Sequence, residues 1–254
     1  MSVLRCGCKC FGGRQAVRVK VFLKVGVPGA REAAARGDVA AIIDALRSSV
    51  TVTSALVVGA VKVIPVLTVA EARAYLDREG YLVAGERGGV QIEGFHFGNS
   101  PTELWRQAAE VRGKTLILTT SSGTRCVDAA QEGAGAVLSG ALPNATALAQ
   151  AAFDLAGERG RELSLVAAGF NGQATVEDLF AARLIAQRLA VMGAVLAGGE
   201  WGDHPAESEA AEVLRSSPSG QKLRGLGYGK DVVFCAQIDV FDAVPIYRDD
   251  GFVV

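Results

Sequence analysis

The chain has 254 residues, of which 50% are apolar and 21% are charged, a balance typical of a soluble globular protein with a sizeable core. Lysine and arginine number 26 against 27 acidic residues, and this net charge of −1 argues against a basic surface that binds nucleic acid non-specifically. Apolar runs are too short to span a bilayer and the N terminus lacks the apolar stretch of a secretory signal, so we expect a cytoplasmic protein without membrane association.

Cysteine and histidine usage excludes two kinds of site. The five cysteines, an odd number, argue against a disulfide framework, and two histidines are too few for a histidine-rich metal centre. Cys6, Cys8 and Cys10 could bind a soft metal, but zinc sites generally need a fourth ligand and wider spacing. We therefore predict a flexible N-terminal extension over 1–16 and a folded domain over 17–254.

Apolar runs typical of strands alternate with helix-like segments along that domain. The predicted strands are 17–25, 39–45, 61–67, 81–84, 115–119, 134–139, 163–168 and 232–240. The predicted helices are 50–58, 69–79, 102–111, 124–132, 145–156, 176–191 and 208–214. This alternation predicts a layered α/β/α fold with a largely parallel or mixed sheet. Two abutting α/β halves with a seam near 135–160 are the alternative.

The first candidate motif follows the second predicted strand, where Asp44 opens the run D-A-L-R-S-S. Ser48 and Ser49 begin the next helix, whose exposed N–H groups favour an anion. Arg47 adds a planar group suited to phosphate or sulfonate. A capped helix with a structural ion pair explains the same residues and stays open as an alternative.

The second motif spans 84–101, A-G-E-R-G-G-V-Q-I-E-G-F-H-F-G-N-S-P. Glu86 and Arg87 follow a short predicted strand, and open α/β sheets bind ligands at the carboxyl ends of their strands. Glycines there allow a close approach of the backbone to a ligand. The alternative is a surface turn with an incidental ion pair.

Three further turns carry small polar or acidic residues. T-T-S-S-G-T, 119–124, resembles an anion-binding turn but lacks the P-loop pattern. Asn144 is positioned to cap the following helix, which is its default role. Glu177 and Asp178 lie in a first helical turn, where acids favour the helix dipole. Because one carboxylate already satisfies that preference, the pair also suggests a site for a hard cation.

Together these motifs, in this order and spacing, resemble those of the 2-phosphosulfolactate phosphatase (ComB-like) family. The resemblance rests on D-A-L-R-S-S at 44–49, G-E-R-G-G at 85–89, G-N-S-P at 98–101, the turn at 120–124, Glu177–Asp178 and the segment 231–245. It covers about residues 17–247. Three positions depart from the family pattern: Ser122 stands for asparagine, His96 for an acid, and Ala182-Arg183 for alanine-glycine.

This resemblance implies a Mg²⁺-dependent hydrolase that converts (R)-2-phospho-3-sulfolactate, a small phosphorylated and sulfonated acid, to 3-sulfolactate and phosphate, a step toward coenzyme M. An oligomer, with a homodimer as the candidate, is also implied. With the motifs it assigns catalysis to Asp44, Arg47, Glu86 and Arg87, and metal binding to Asp44, Glu86, Glu177 and Asp178. The expected substrate-binding residues are Ser48, Ser49, Gly88, Asn99, Ser100, Ser122, Gly123, Thr124 and Asn144.

Two other functions stay open on the sequence. One is a phosphatase of the same fold that acts on another small phosphorylated hydroxy acid. The other is a non-catalytic protein that binds small anions, for which Ser122 and His96 are the suggestive departures.

Overall fold

A computed structural model describes residues 19–254 of the chain. The predictions for 1–16, including those for Cys6, Cys8 and Cys10, lie outside the described residues. Within the described part the strands are β1 (Lys20–Val25), β2 (Val39–Ile43), β3 (Lys62–Pro65), β4 (Tyr81–Arg87), β5 (Val90–Gln91), β6 (Thr115–Thr119), β7 (Ala136–Gly140), β8 (Leu163–Ala167), β9 (Val195–Leu196), β10 (Ile246–Arg248) and β11 (Gly251–Val253).

The helices of the described residues alternate with these strands. They are α1 (Gly26–Arg36), α2 (Ser48–Val57), α3 (Val69–Arg73), α4 (Pro101–Arg106), α5 (Ala108–Val111), α6 (Gly123–Gln131), α7 (Ala145–Arg159), α8 (Val176–Val191), α9 (Ala210–Ser216), α10 (Pro218–Gly225) and α11 (Gly229–Cys235). Short 3₁₀ turns precede α7 and α9. None of the helices in residues 19–254 is long and apolar enough to cross a membrane.

All eleven strands join one mixed sheet in the order β5-β4-β6-β3-β11-β10-β7-β2-β8-β1-β9. The pairings within β4-β6-β3 and within β7-β2-β8-β1-β9 are parallel. Between these two parallel blocks lies the antiparallel hairpin β10–β11, which pairs with β3 on one side and β7 on the other. The layered α/β fold with a mixed sheet is therefore confirmed.

Residues of the central strands alternate between two hydrophobic cores, one on each face of the sheet. In β2, Val39, Ala41 and Ile43 pack into one core, whereas Ala40 and Ile42 pack into the other. Helices α7 and α8 pack against each other, while α1 contacts α6 and α2 contacts α4. Because β2 is buried on both faces, its sequence is a continuous apolar run that ends at Asp44.

Most predicted elements are present, and the differences have local causes. The strand predicted over 232–240 is wrong, because its first part is helix α11 and its remainder is irregular. The predicted helix over 102–111 is divided into α4 and α5, and the helix over 69–79 ends early, at Arg73. Helices α1 and α10 were not predicted, since proline and glycine, which are typical of turns, occupy the first turn of each.

Candidate active site

A cleft of about 210 Å³ lies at the carboxyl ends of four strands, where open α/β sheets generally bind ligands. Asp44 follows β2, Glu86 is the penultimate residue of β4, the turn 120–122 follows β6, and Gly169 follows β8. Helices α8 and α10 complete its walls. The lining residues are Asp44, Leu46, Arg47, Glu86, Gly88, Gly89, Asn99, Thr120, Ser121, Ser122, Gly169, Phe170, Thr175, Glu177, Asp178, Pro218, Ser219, Lys222 and Leu223.

Asp44 is buried between the first turns of α2 and α6. Its Oδ1 accepts the Ser48 N–H at 3.1 Å, and its Oδ2 lies against Gly123. Burial, together with the negative charges of Glu86 and Glu177, raises the pKa of Asp44 to about 6, although the Ser48 N–H opposes this shift. A carboxylate in these surroundings is stabilised by a nearby cation.

Glu86 and Asp178 each accept hydrogen bonds from the backbone of two segments around the cleft. The Glu86 carboxylate accepts the N–H groups of Gly89 and Ser121, both at 2.7 Å. Asp178 accepts the N–H of Ala45 at 2.7 Å and that of Gly169 at 2.9 Å. Burial and the charges of Asp44 and Glu177 raise the pKa of Asp178 well above its ordinary value. Both carboxylates therefore fix the loops that form the cleft.

Arg47 lies in the cleft wall as part of a buried ion pair. Its Nη1 donates to Asp231 Oδ2 at 2.7 Å, and its Nη2 donates to the Gly89 carbonyl at 2.8 Å. The guanidinium also lies over the Tyr228 ring, 4.4 Å from the centroid. Asp231 accepts further hydrogen bonds from the Ser100 and Thr102 hydroxyls, at 2.8 and 2.5 Å. This network fixes the position of Arg47 relative to the Gly88–Gly89 turn.

Several residues predicted to act in catalysis or to bind substrate lie outside the lining of the cleft. Arg87 donates to the Glu86 carbonyl at 2.7 Å and to Thr119 Oγ1 at 3.0 Å, so the structure does not place its guanidinium in the cleft. Asn144 stands at the N-cap of α7 but, contrary to the prediction, does not cap it with its side chain; its Oδ1 instead accepts the Ala141 N–H at 3.0 Å. A separate, much smaller void behind Asp44 is lined by Ser48, Ser49, Gly123 and Thr124. Ser100 caps α4. Gly88, Asn99 and Ser122 do line the cleft.

Three buried oxygen atoms in the cleft lining have no hydrogen-bond partner among the described residues: Asn99 Oδ1, Thr175 Oγ1 and Glu177 Oε2. Buried polar groups normally have a partner, so these atoms indicate a bound ligand or ion. Within residues 19–254 no group of three or more His, Cys, Asp or Glu side chains forms a ready metal site. Mg²⁺, however, usually binds through one or two carboxylates, waters and substrate phosphate. Asp44 and Glu177 fit that pattern.

Comparison with known proteins decides the family. The family model described as 2-phosphosulpholactate phosphatase matches residues 27–250. The 2-phosphosulfolactate phosphatase of Methanothermobacter thermautotrophicus is 38% identical over 82% of this chain and 86% of its own length. Proteins named probable 2-phosphosulfolactate phosphatase from Deinococcus radiodurans (35%, covering 82% and 87%) and Thermus thermophilus (34%, covering 87% and 92%) are also similar. The chain belongs to the 2-phosphosulfolactate phosphatase family. It is thus a member of a family of phosphoric monoester hydrolases, as the sequence motifs predicted.

The three departures from the pattern of the 2-phosphosulfolactate phosphatases fall at different distances from the cleft. Ser122 lines it and precedes α6. His96 is exposed outside the cleft, where its Nδ1 accepts the Val83 N–H at 3.0 Å. Arg183 lies along α8 and donates to the Glu200 carbonyl at 3.3 Å. Only Ser122 is therefore placed to alter substrate contacts.

Sequence reasoning missed Asp231, Thr175 and Lys222. Asp231 lies within the segment that resembles the family, yet its role follows only from its contact with Arg47, which is 184 positions away along the chain. Thr175 stands at the N-cap of α8, where threonine is expected to cap the helix, but its Oγ1 makes no such hydrogen bond. Lys222 belongs to α10, which the sequence pattern did not predict. A short polar helix carries little periodic signal, because only Gly220 and Leu223 are buried.

Proposed function

We propose that this protein is a Mg²⁺-dependent phosphatase that hydrolyses (R)-2-phospho-3-sulfolactate to 3-sulfolactate and phosphate. Family membership supports the class of reaction. The observation that carries the proposal is the charge of the cleft: four carboxylates line it, against the cations Arg47 and Lys222, of which Arg47 is already paired with Asp231. A phosphorylated, sulfonated acid would meet strong repulsion there unless a cation entered with it.

Asp44 and Glu177 would hold the magnesium ion. When bound, Mg²⁺ would supply charge neutralisation for the phosphoryl oxygens and lower the pKa of a coordinated water. Asn99 and Thr175 carry the other unpartnered oxygens and would orient this water or the substrate.

Arg47 would bind the phosphate with the donors it has left. A guanidinium has five N–H donors, of which Asp231 and Gly89 accept two among the described residues. Because the ion pair and Tyr228 hold it in place, little side-chain entropy is lost when it binds the substrate. The Glu86 and Asp178 carboxylates would keep the loops 88–89, 120–122 and 169–170 fixed around the ligand.

The decisive experiment measures phosphate release from racemic phosphosulfolactate with Mg²⁺ and then with EDTA, beside a panel of phosphorylated hydroxy acids. We expect metal-dependent release from phosphosulfolactate. Asp44→Asn and Glu177→Gln should each lower kcat by about 10²-fold or more, whereas Glu158→Gln, an exposed carboxylate on α7, should not. Phosphate release from another panel member alone would show that phosphosulfolactate is not the substrate. No release at all would favour the non-catalytic anion binder.

The place of the product in coenzyme M formation, the cytoplasmic location and the homodimer stay predictions. Gel filtration with light scattering would test the dimer. A monomer at assay concentrations would contradict it.

A further inference from the structure

Lys222 is the cation at the mouth of the cleft that has no acidic partner among the described residues. It lines the cleft and is exposed, whereas Asp44 and Glu177, on the inner wall, are buried. Its Nζ lies 6.0 Å from the centroid of the Phe170 ring, which faces it across the mouth. Within residues 19–254 no carboxylate lies within ion-pair distance of it.

Helix α10 holds Lys222 at a defined place. Pro218, Ser219, Lys222 and Leu223 all line the cleft, and this spacing corresponds to one face of a helix. The Ser217 side chain caps the helix by accepting the Gly220 N–H at 3.0 Å. Leu223 is buried beneath it.

The same helix packs against the turn of the G-E-R-G-G motif. A Cβ at Gly89 would lie 3.5 Å from Leu223 Cδ2, and one at Gly88 would lie 3.9 Å from Lys222 Nζ. The ammonium group is therefore next to the turn whose Gly89 carbonyl binds Arg47. Two cations therefore lie on this side of the cleft: Arg47 is buried in the wall, and Lys222 is exposed at the mouth.

The proposed substrate has anionic groups in a matching order. Its phosphate is on the central carbon of a three-carbon chain, with the carboxylate and the sulfonate on the two ends. The sulfonate oxygens lie one bond further from the phosphate than the carboxylate oxygens do. With the phosphate bound near Asp44, Glu177 and Arg47, the sulfonate is the anionic group that can reach furthest from the inner wall.

We propose that Lys222 determines specificity by binding the sulfonate of the substrate. This inference rests on the proposed function, since it assumes that the phosphate occupies the inner wall. The ammonium would supply a charge-assisted hydrogen bond, and Phe170, which is 50% exposed, would hold the lysine side chain over its ring and shield the contact from water.

The test compares two substrates that differ only in the sulfonate, 2-phospho-3-sulfolactate and 2-phospholactate, in wild-type enzyme, Lys222→Ala, Lys222→Arg and Arg224→Ala. Arg224 is an exposed cation on the same helix that does not line the cleft. Lys222→Ala should lower kcat/KM for the sulfonated substrate by about 10- to 100-fold, mainly through KM, and that for 2-phospholactate by less than about 2-fold. Lys222→Arg should restore most of the loss, and Arg224→Ala should change neither.

Equal losses on both substrates, or an equal loss in Arg224→Ala, would overturn the assignment. Binding of 3-sulfolactate and of lactate, measured by calorimetry in the presence of Mg²⁺, separates this outcome from failure of the proposed function. If the enzyme hydrolyses no phosphosulfolactate but Lys222→Ala still weakens sulfolactate binding at least 10-fold, the proposed reaction fails and the sulfonate site stands. Undetectable or unchanged sulfolactate binding in wild type and variant would reject the site.

Discussion

Asp44 is a carboxyl group whose ionisation the fold opposes. Its pKa is raised from 3.8 to about 6, first by burial and then by Glu86 and Glu177. Between these values the unfolded chain loses the proton while the folded chain keeps it, so its contribution to stability falls as the pH rises from about 4 to 6. Above pH 6 the ionised group costs on the order of 2 to 3 kcal/mol in the absence of a cation.

We therefore expect Asp44→Asn to unfold at higher urea concentration than wild type at pH 8 in EDTA, and at a similar concentration at pH 4. The asparagine oxygen can still accept the Ser48 N–H, so no hydrogen bond is lost. Urea denaturation at both pH values measures the difference. A variant that is less stable than wild type at pH 8 would show that the charge of Asp44 is already compensated within the protein.

Asp231 gives Arg47 both its counter-charge and its orientation. Asp231→Asn keeps an acceptor but leaves a buried guanidinium without a negative partner, a change that typically costs about 3 to 5 kcal/mol. We also expect kcat/KM to fall by about 10- to 100-fold, because Arg47 would no longer be held in the cleft wall. Unfolding free energy and kcat/KM are measured together.

Asp38→Asn is the matched control for this variant. Asp38 is equally buried and accepts hydrogen bonds from Ser164 Oγ at 2.7 Å and Arg36 Nε at 3.0 Å, but it precedes β2 and so lies at the other end of that strand from Asp44. It should lose stability with little change in kcat/KM. Similar losses of kcat/KM in the two variants would mean that Asp231 has only a structural role.

At the scale of single residues, the sequence predicts which carboxylates reach the cleft better than it predicts which residues contact one another. Asp44, Glu86, Glu177 and Asp178 are all brought to one cleft, as strand ends and a first helical turn indicated. Arg87 is adjacent to Glu86 in the chain, yet successive side chains of a strand point to opposite faces, so only one of the pair reaches the cleft. Pairings such as Arg47–Asp231 depend on the tertiary structure and leave no local pattern.

The start of helix α6 approaches Asp44 so closely that residue 123 must be glycine. A Cβ there would lie 2.6 Å from Ser48 Oγ and 2.9 Å from Asp44 Oδ2. Gly123→Ala should therefore displace both side chains and lower kcat by at least about 10-fold, although alanine favours helices by about 1 kcal/mol. In α7, Gly157→Ala meets no atom within 4 Å and should keep full activity with equal or higher stability. Wild-type kcat in Gly123→Ala would show that the site tolerates the shift.

Helices α8 and α11 show where element prediction succeeds and fails. The bounds predicted for α8 are confirmed, because sixteen residues with acids in the first turn carry a clear helical pattern. In α11, the run of Val232, Val233, Phe234 and Cys235 is too short to separate a strand from a buried helix. The exposure of the side chains agrees with a helix. Val232 and Cys235, which are three residues apart, are buried with Asp231, while Val233 is 71% exposed.

For the whole molecule, the C-terminal hairpin is what makes one sheet out of two parallel blocks. Ile246 of β10 pairs with Leu138 of β7, and Phe252 of β11 pairs with Val63 of β3. The two blocks do not match the halves considered from the sequence, since β1 and β2 precede the seam near 135–160 but lie in the same block as β7, β8 and β9. This arrangement could not be predicted, since the short strands β10 and β11 carry no periodic signal and join elements far apart in the chain.

If the hairpin couples the two blocks, a cavity beneath it should destabilise both together. Phe252 is 1% exposed and packs edge-on against Tyr247 with ring centroids 5.5 Å apart, so Phe252→Ala should cost about 3 to 5 kcal/mol. Val254→Ala, at a side chain that is 70% exposed, is the control and should be neutral. Trp105 lies in α4, between β4 and β6 of one block along the chain, and Trp201 follows β9 of the other block. Single-tryptophan variants of the Phe252→Ala protein should therefore unfold in coincident transitions at the same lowered urea midpoint, because neither block keeps a complete sheet without the other. Separate midpoints, with only the Trp105 transition shifted, would mean that the blocks fold independently and that the hairpin belongs to one of them.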